Sequence, residues 1–432
     1  MGDTPHDHTA VLVDGCRIPF QKSGTGYVDL MAYDMGRMVL RGLLTRTGLP
    51  PDALDRVVLG TVIQDVQTSN VAREAALAAG IPNDVPAFTV TMACISSNQA
   101  LTSGVDLIRA GLADRIVAGG TETLSDPPIR VARPVRKRLF EARHAKGAMD
   151  YFELLEGLDP RDILPEAPSI EEFSTGEVMG ESADRLAAAF DITRREQDEY
   201  ALRSHRKAAA ARDAGHLDPE LYRTAVPPDF DPITTDNVIR DDTSLDKLRT
   251  LPPAFVKPFG TVTAGNSSAL TDGASATLLM SEEVAKADGY APKAALRNYT
   301  YVAQDPGTEL LLGPAYAIPQ VLDDAGLALD NIDVIELHEA FAGQVLAVLE
   351  ALQSDTFADE QLGRDAAVGT VDLDRLNAWG GSLSLGHPFG ATGTRLVTTA
   401  AHRLEVEDGR WALVAACAAG GQGHAMLIER LP

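Results

Sequence analysis

Two separate stretches of this chain alternate strand and helix patterns in the same order and with similar spacing. The first runs from Val11 to about Glu122, with strands expected at AVLVDGC, DRVVLGTV, AFTVTMA and DRIVAGG. Helical patterns such as MAYDMGRMVLRGLLTRTG and NVAREAALAAG lie between them. The second runs from about Ala291 to the end, with strands expected near AALRNYTYVA, IDVIELHE, RLNAWGGSLS, RWALVAAC and HAMLIERL. The helix GPAYAIPQVLDDAG falls between the first two of these. Such alternation implies mainly parallel sheets covered by helices on both sides. The stretches match in pattern rather than in letters, and two such halves imply an internal duplication.

Residues 123–254 break the alternation. They are rich in Arg, Glu, Asp and Pro and hold one helix pair, SADRLAAAF and RREQDEYALRSHRKAAAARDAG. This segment reads as an insertion packed over the sheet body. The run VKPFGTVTAGNSSALTDGASATLLM then returns to a buried pattern and supplies the last strand of the first half. The expected organisation is a first half from residues 1–122 and 255–290, an inserted loop domain at 123–254, and a second half at 291–432. With 45% apolar residues the chain has ample material for such a core.

A formal charge of −24 opposes any broad phosphate-tracking surface, so nucleic acid is excluded as an expected partner. A small anionic ligand needs only a local patch. RVARPVRKRLFEARHAKG carries seven Lys or Arg against one acid, Glu141, and reads either as such a patch or as a solvated helix face. No apolar run is long enough to span a bilayer. The first ten residues are polar and lack a signal core, and His6 stands where a myristoylation pattern needs Ser or Thr. The end, ERLP, is not a peroxisomal address, so a cytoplasmic placement is expected.

The three cysteines, Cys16, Cys94 and Cys417, cannot all pair within one chain and match no zinc spacing. Cys16 lies in a buried first strand and reads as a spectator. In TMACISSNQA, Leu101, Val105 and Ile108 recur at helical spacing, which places Cys94 where a strand hands over to a helix N-terminus. Free N–H groups and the helix dipole favour a thiolate there; the alternative is a small buried residue at a strand end.

ELHEAFAG puts His338 after the strand DVIEL. It begins like a zinc helix, but Ala342 replaces the second His, so no metal is expected. SLSLGHPFGATGTRL sets His387 among glycines, yet no Lys-Ser/Thr pair follows to make a phosphate loop. VAACAAGGQGHAM delivers Cys417 at a strand end before a tight turn. Ligands of open α/β sheets bind beyond the carboxyl ends of strands, so these loops can meet in one cleft. Two thiols and two imidazoles without metal spacing suggest thioester chemistry.

CISSNQA, GNSSALTDGASA, HEAF, GHPFGATG and CAAGGQG occur in the order seen in the thiolases, the acetyl-coenzyme A acyltransferases, and the resemblance covers nearly the whole chain. FVKPFGTVTAGNSS, HEAF and WGGSLSLGHPFGATG are similar to the branch found in the fatty-acid β-oxidation trifunctional complex. Two positions depart from the common pattern. Most thiolases carry Asn where this chain has His338, as that branch does, and Gly where this chain has Ala419.

The resemblance implies two similar five-stranded α/β halves packed together, with a loop domain inserted in the first. It implies Cys94 as the acylated nucleophile and His387 as its activator and a donor to the thioester oxygen. Cys417 becomes the acid/base at the acetyl carbon. His338 becomes the residue that orients a water in the first oxyanion site, with the N–H groups of Cys94 and Ala419 forming a second. Ser268 matches a serine that contacts the pantetheine arm. Coenzyme A and acyl-CoA are then substrates, and no cofactor is expected.

The implied activity is cleavage of 3-ketoacyl-CoA in β-oxidation. The implied assembly is a homo-oligomer, dimer or tetramer, with a hydratase/dehydrogenase subunit as partner. A biosynthetic acetoacetyl-CoA thiolase is the alternative, and a non-catalytic lipid-binding or scaffold member a more distant one. A ketoacyl synthase also uses Cys and two His but lacks a second reactive cysteine like Cys417.

Overall fold

The computed structural model describes residues 8–147, 149–150, 157–166 and 171–431. The polar start at residues 1–7, with His6, lies outside the described residues, as do parts of the insertion. Nine strands run through one continuous sheet. They are β1 Ala10–Arg17, β2 Arg56–Gly60, β3 Ala87–Val90, β4 Arg115–Glu122, β5 Thr271–Ser281, β6 Ala294–Ala303, β7 Val334–Leu337, β8 Trp411–Ala418 and β9 Gln422–Arg430. Their spatial order is β7-β8-β9-β6-β1-β5-β4-β2-β3, and Gln21–Lys22 pairs with β5 off this path. The first half contributes β1 to β5 and the second β6 to β9. Their edges join where Val11 and Leu12 of β1 pair with Ala295 and Ala294 of β6.

Two expectations need correction. Only β2 with its neighbours β3 and β4, and β7 with β8, pair in parallel; the strands nearest the junction are antiparallel. Of these neighbours, β8 and β9 form a hairpin and β4 returns to β5 through the insertion, while β1 lies between β5 and β6, two strands far along the chain. The expected strand RLNAWGGSLS contracts to one bridge, Ile335 with Leu376, followed by a turn and the short helix Ser382–Leu385. Asn377 has a φ of 45°, outside extended geometry, and its side chain reads the strand edge instead. Its Oδ1 accepts from Leu337 N–H, and its Nδ2 donates to Leu337 O and Glu339.

Apart from the edge strand β3 and the outer part of β6, the strands are buried on both faces, so their sequences show little polar alternation. Residues of opposite parity serve different cores. In β8, Leu413, Ala415 and Cys417 face one layer, while Ala412, Val414, Ala416 and Ala418 face another. The helices that pack on the sheet or form the insertion pair are α1 Ala32–Thr47, α2 Val71–Ala79, α3 Ser96–Arg109, α4 Met179–Ala189, α5 Arg194–Asp213, α6 Gly313–Ala325, α7 Ala342–Gln353 and α8 Thr392–Val406. Helices α1 and α2 cover the outer face of the first half, and α6 and α7 that of the second. Helices α3 and α8 share a middle core with strands of both halves, including Leu12, Ile116, Val414 and Met426. The insertion supplies α4 and α5, the expected pair, and α5 starts with a capping box of Thr193 and Glu196.

The two middle helices meet at their first turns, where Thr394 N–H donates to Ser97 Oγ at 3.1 Å. Gly393 makes that approach possible, because a Cβ there would stand 2.1 Å from Asn98 Oδ1. The junction of the halves is thereby fixed beside the two helix N-termini, and the candidate site lies there.

Candidate active site

Cys94 sits in a tight turn between β3 and α3. Ser96 Oγ accepts from Met92 N–H at 2.8 Å and donates to Ala93 O at 2.7 Å, closing the turn. Ala93 is held at φ 47°, a left-handed geometry that costs a residue with a side chain. The sequence thus places Cys94 correctly at a helix start. The expected thiolate is not the resting form, however. Burial pushes the thiol up to about 11, against the Ala419 N–H that lowers it, with the nearby Glu122 carboxyl raising it further. Desolvation of the charged sulfur outweighs the backbone donors, so the nucleophile needs a base.

That base stands close by. One ligand atom each from Cys94, His338 and His387 lie within 4.8 Å of one another, and the two imidazole rings are 4.1 Å apart between centroids. His338 follows β7 and extends its ladder, with its N–H donating to Ala415 O at 2.9 Å. His387 follows Gly386, and its N–H donates to Thr271 Oγ1 at 2.6 Å. Both rings are buried, and their Nε2 atoms have no partner among the described residues. Burial lowers His338 well below the ordinary histidine range, with His387 and Arg395 adding to the shift; burial and then Arg395 take His387 to about 3. Both rings are therefore neutral near pH 7, one requirement for accepting a thiol proton.

The hydrogen-bond network assigns the His387 tautomer. Thr392 Oγ1 donates to Pro388 O at 3.1 Å, so at its 2.6 Å contact with His387 Nδ1 it accepts the ring N–H. His387 Nε2 then carries a lone pair facing the cleft.

Cys417 is the last residue but one of β8, opposite Gly423 of β9. Burial and then the nearby Cys94 raise its thiol well above the ordinary range, so it too is protonated at rest. Ala419 begins the hairpin that follows. The left-handed positions of that turn fall on Gly420 and Gly421, at φ 84° and 64°. Alanine at position 419 therefore keeps its N–H on the sulfur of Cys94 without strain. Ser268 is half-buried and is held to the His338 loop by its N–H to Ala340 O at 2.9 Å. Cys16 is remote in role as expected: it is buried, its Sγ contacts Val39 O at 3.8 Å, and burial pushes it up to about 12.

Thus the structure gathers Cys94 from the first half with His338, His387 and Cys417 from the second. Cys94, His338 and His387 could also hold a cation, which the spacing along the chain did not suggest. Sequence reasoning missed the supports. Glu122, at the end of β4, accepts from Val62, Ile63 and Gly390 N–H at 3.0, 2.9 and 2.8 Å, and so ties the His387 loop to the first half. Its burial raises it to about 7 despite those donors. Ser382 contacts His338, and Arg395 contacts Ser382. The available signal was a lone acid closing a buried strand, in GGTETLS, and an Arg among small residues in the first turn of α8, in GATGTRL.

This arrangement, a half-buried thiol with a neutral base, a second thiol and converging backbone donors between two α/β halves, defines a thiolase-type acyltransferase. The family models agree: "Thiolase, N-terminal domain" matches residues 10–283 and "Thiolase, C-terminal domain" residues 290–430, and the chain belongs to the thiolase family. Among its relatives, a Bos taurus protein named "Trifunctional enzyme subunit beta, mitochondrial" is 57% identical over 99% of this chain and 90% of its own length. A Caenorhabditis elegans "Probable 3-ketoacyl-CoA thiolase" is 54% identical over 97% of this chain and 93% of its own. The crystal structure of the Bacillus anthracis acetyl-CoA acetyltransferase superposes with a TM-score of 0.84 at 32% identity, covering 99% of this chain and 100% of that one.

Proposed function

We infer that the chain cleaves 3-ketoacyl-CoA with coenzyme A to acetyl-CoA and a shortened acyl-CoA, in fatty-acid β-oxidation. The observation that carries this is the meeting of Cys94 with two neutral imidazoles whose cleft-facing nitrogens are unengaged. His387 Nε2 takes the Cys94 proton, and the thiolate attacks the keto carbon. The bond between the α-carbon and the keto carbon then breaks, leaving an acyl-Cys94 thioester and the enolate of acetyl-CoA. Charge on the enolate oxygen is met by donors from the His338 and His387 side of the cleft, where they act in a water-poor setting. Cys417 gives its proton to the α-carbon. It regains one from incoming coenzyme A, whose thiolate displaces the acyl group from Cys94, and the Cys94 thiolate released takes its proton back from His387. Backbone N–H groups of Cys94 and Ala419 hold the oxyanion of that second step. Exchange between sulfurs is nearly balanced in energy, which suits a reversible covalent intermediate. Ser268, whose N–H is bonded to Ala340 of the His338 loop, is proposed to meet the pantetheine arm. No metal or cofactor enters these steps.

The likeness to an acetyl-CoA acetyltransferase favours a second reading, biosynthetic condensation of acetyl units. Thiolysis rates across 3-ketoacyl-CoA substrates of increasing length separate the two. Activity that persists or rises beyond acetoacetyl-CoA supports degradation, and activity confined to acetoacetyl-CoA supports the alternative.

We further propose self-association as a dimer or tetramer and docking to a hydratase/dehydrogenase subunit, as the name of the bovine relative suggests. The basic segment forms the helix Arg133–Glu141, which buries none of its residues and remains available to a partner or to the coenzyme A phosphates. No helix among the described residues is long and apolar enough to cross a membrane. The cytoplasmic placement expected from the polar first residues stands against relatives named as mitochondrial. Imaging of the tagged chain against a mitochondrial marker decides between them.

A further inference from the structure

His338 is wired differently from His387, and the difference lies in what holds each Nδ1. Ser382 Oγ is 2.8 Å from His338 Nδ1 and accepts from Arg395 Nη2 at 2.9 Å. A guanidinium can only donate, so Arg395 occupies a lone pair of the Ser382 oxygen and leaves the hydroxyl proton free. Among the described residues, His338 Nδ1 is the acceptor that this proton meets. Arg395 is itself fixed: its side chain is fully buried, and its Nη1 lies 3.6 Å from Glu336, whose other oxygen is paired with Arg403 at 2.9 Å. An imidazole whose Nδ1 accepts carries its proton on Nε2.

We propose that Ser382 and Arg395 are positioning residues that hold His338 as the Nε2–H tautomer, so that its free nitrogen is a donor in the cleft. The two facing imidazoles then have opposite tautomers. Thr392 leaves His387 Nε2 as an acceptor for the Cys94 proton, while Ser382 leaves His338 Nε2 as a donor for enolate oxygen or its water. The arrangement divides labour between rings of the same chemistry 4.1 Å apart. It also gives a role to the fully buried Arg395 of α8: a buried cation needs its partners, and one of these is the serine that faces His338. With the serine hydroxyl gone, the ring is free to place a lone pair toward a negatively charged oxygen, which is repulsive.

The proposal rests on the thiolase reading above, and its test keeps the two separable. Thiolysis of a 3-ketoacyl-CoA by the unaltered chain tests the reading itself. Ser382→Thr and Ser382→Val are then compared, because these side chains have nearly the same shape and differ in the hydroxyl. Removal of one oxyanion donor typically costs about 10²–10³-fold, and misorientation of one should cost on the order of tenfold or more in kcat. The expected result is that loss in Ser382→Val with a small change in KM, and activity within a few-fold of the unaltered chain in Ser382→Thr. Alkylation of Cys94 by iodoacetamide, which depends on His387, should be alike in both. Ser382→Val on a His338→Ala background should add no further loss.

Equal activity of the Thr and Val variants overturns the proposal. So does a parallel loss of alkylation and thiolysis in Ser382→Val, which would make Ser382 a general support of the site. Ser382→Ala provides the same comparison if the larger side chains perturb the loop, with thiolysis and alkylation again read against each other.

Discussion

At the scale of single residues, the two site cysteines are both protonated at rest and are distinguished by what surrounds them. Cys94 has the Ala419 N–H on its sulfur and imidazole nitrogens within 4.8 Å. Cys417 is buried beside Cys94, which further disfavours its charge. A thiol held neutral suits proton delivery to carbon. Cys417→Ala should therefore depress thiolysis by ~10²–10⁴-fold, the usual contribution of a general acid–base group. Exchange of labelled coenzyme A into an ordinary acyl-CoA involves no proton at carbon and should fall far less. Paired rates of the two reactions on one preparation check this, and equal losses would assign Cys417 to the nucleophile or to the site structure. These side chains were legible in the sequence because each stands in a loop of small residues after a strand. Their ionisation was not. A helix start favours a thiolate, but how far a turn is desolvated depends on the packing of both halves, which no local pattern encodes.

At the scale of elements, most strands and helices were legible because hydrophobic period and caps agree. Helix α1 is one case: it occupies Ala32–Thr47 and ends at Gly48, whose φ of 66° returns its N–H to Leu44 O at 3.0 Å. RLNAWGGSLS misled because its mixture of apolar and small residues suits a strand, while its role is to place Asn377 and Ser382 against the His338 loop. Parallel pairing was over-expected because alternation reports local order and not which strand lies at the junction. The close approach of loops to strands there was also hidden. A Cβ on Gly120 of β4 would lie 1.8 Å from Gly390 O, in the loop that carries His387. Gly120→Ala should therefore destabilise the protein by about 1–3 kcal/mol, the usual cost of overpacking, and lower thiolysis by displacing that loop. Urea unfolding and thiolysis rates on the same variant check the pair of effects; an unaltered midpoint would show that the loop yields freely.

At the scale of the whole molecule, the catalytic groups lie at the junction of two halves, and the burial that joins them leaves a marked acid sensitivity. Burial depresses His387 and His424 to about 3 and His205 to about 4, with Arg395 adding at His387 and Arg240 at His205. A depressed histidine binds fewer protons folded than unfolded, so its contribution is present above about 6.5 and is lost as pH falls toward those values. Glu122, raised to about 7, runs the other way, as do Asp272 and Glu336, which burial also raises, but they are outnumbered by the depressed histidines together with the lowered Asp14 and Glu220. The melting temperature should fall steadily on acidification from pH 7 to pH 4, and a melting temperature that rises over that interval would contradict this reading of the buried charges. The central claim, however, is covalent. When the chain is mixed with a 3-ketoacyl-CoA in the absence of free coenzyme A, its intact mass should rise by an acyl group shorter than the substrate by one acetyl unit. Peptide mapping should place that group on Cys94, and Cys94→Ala should show none. An adduct that persists in Cys94→Ala, or one that retains the full substrate chain, would contradict the account.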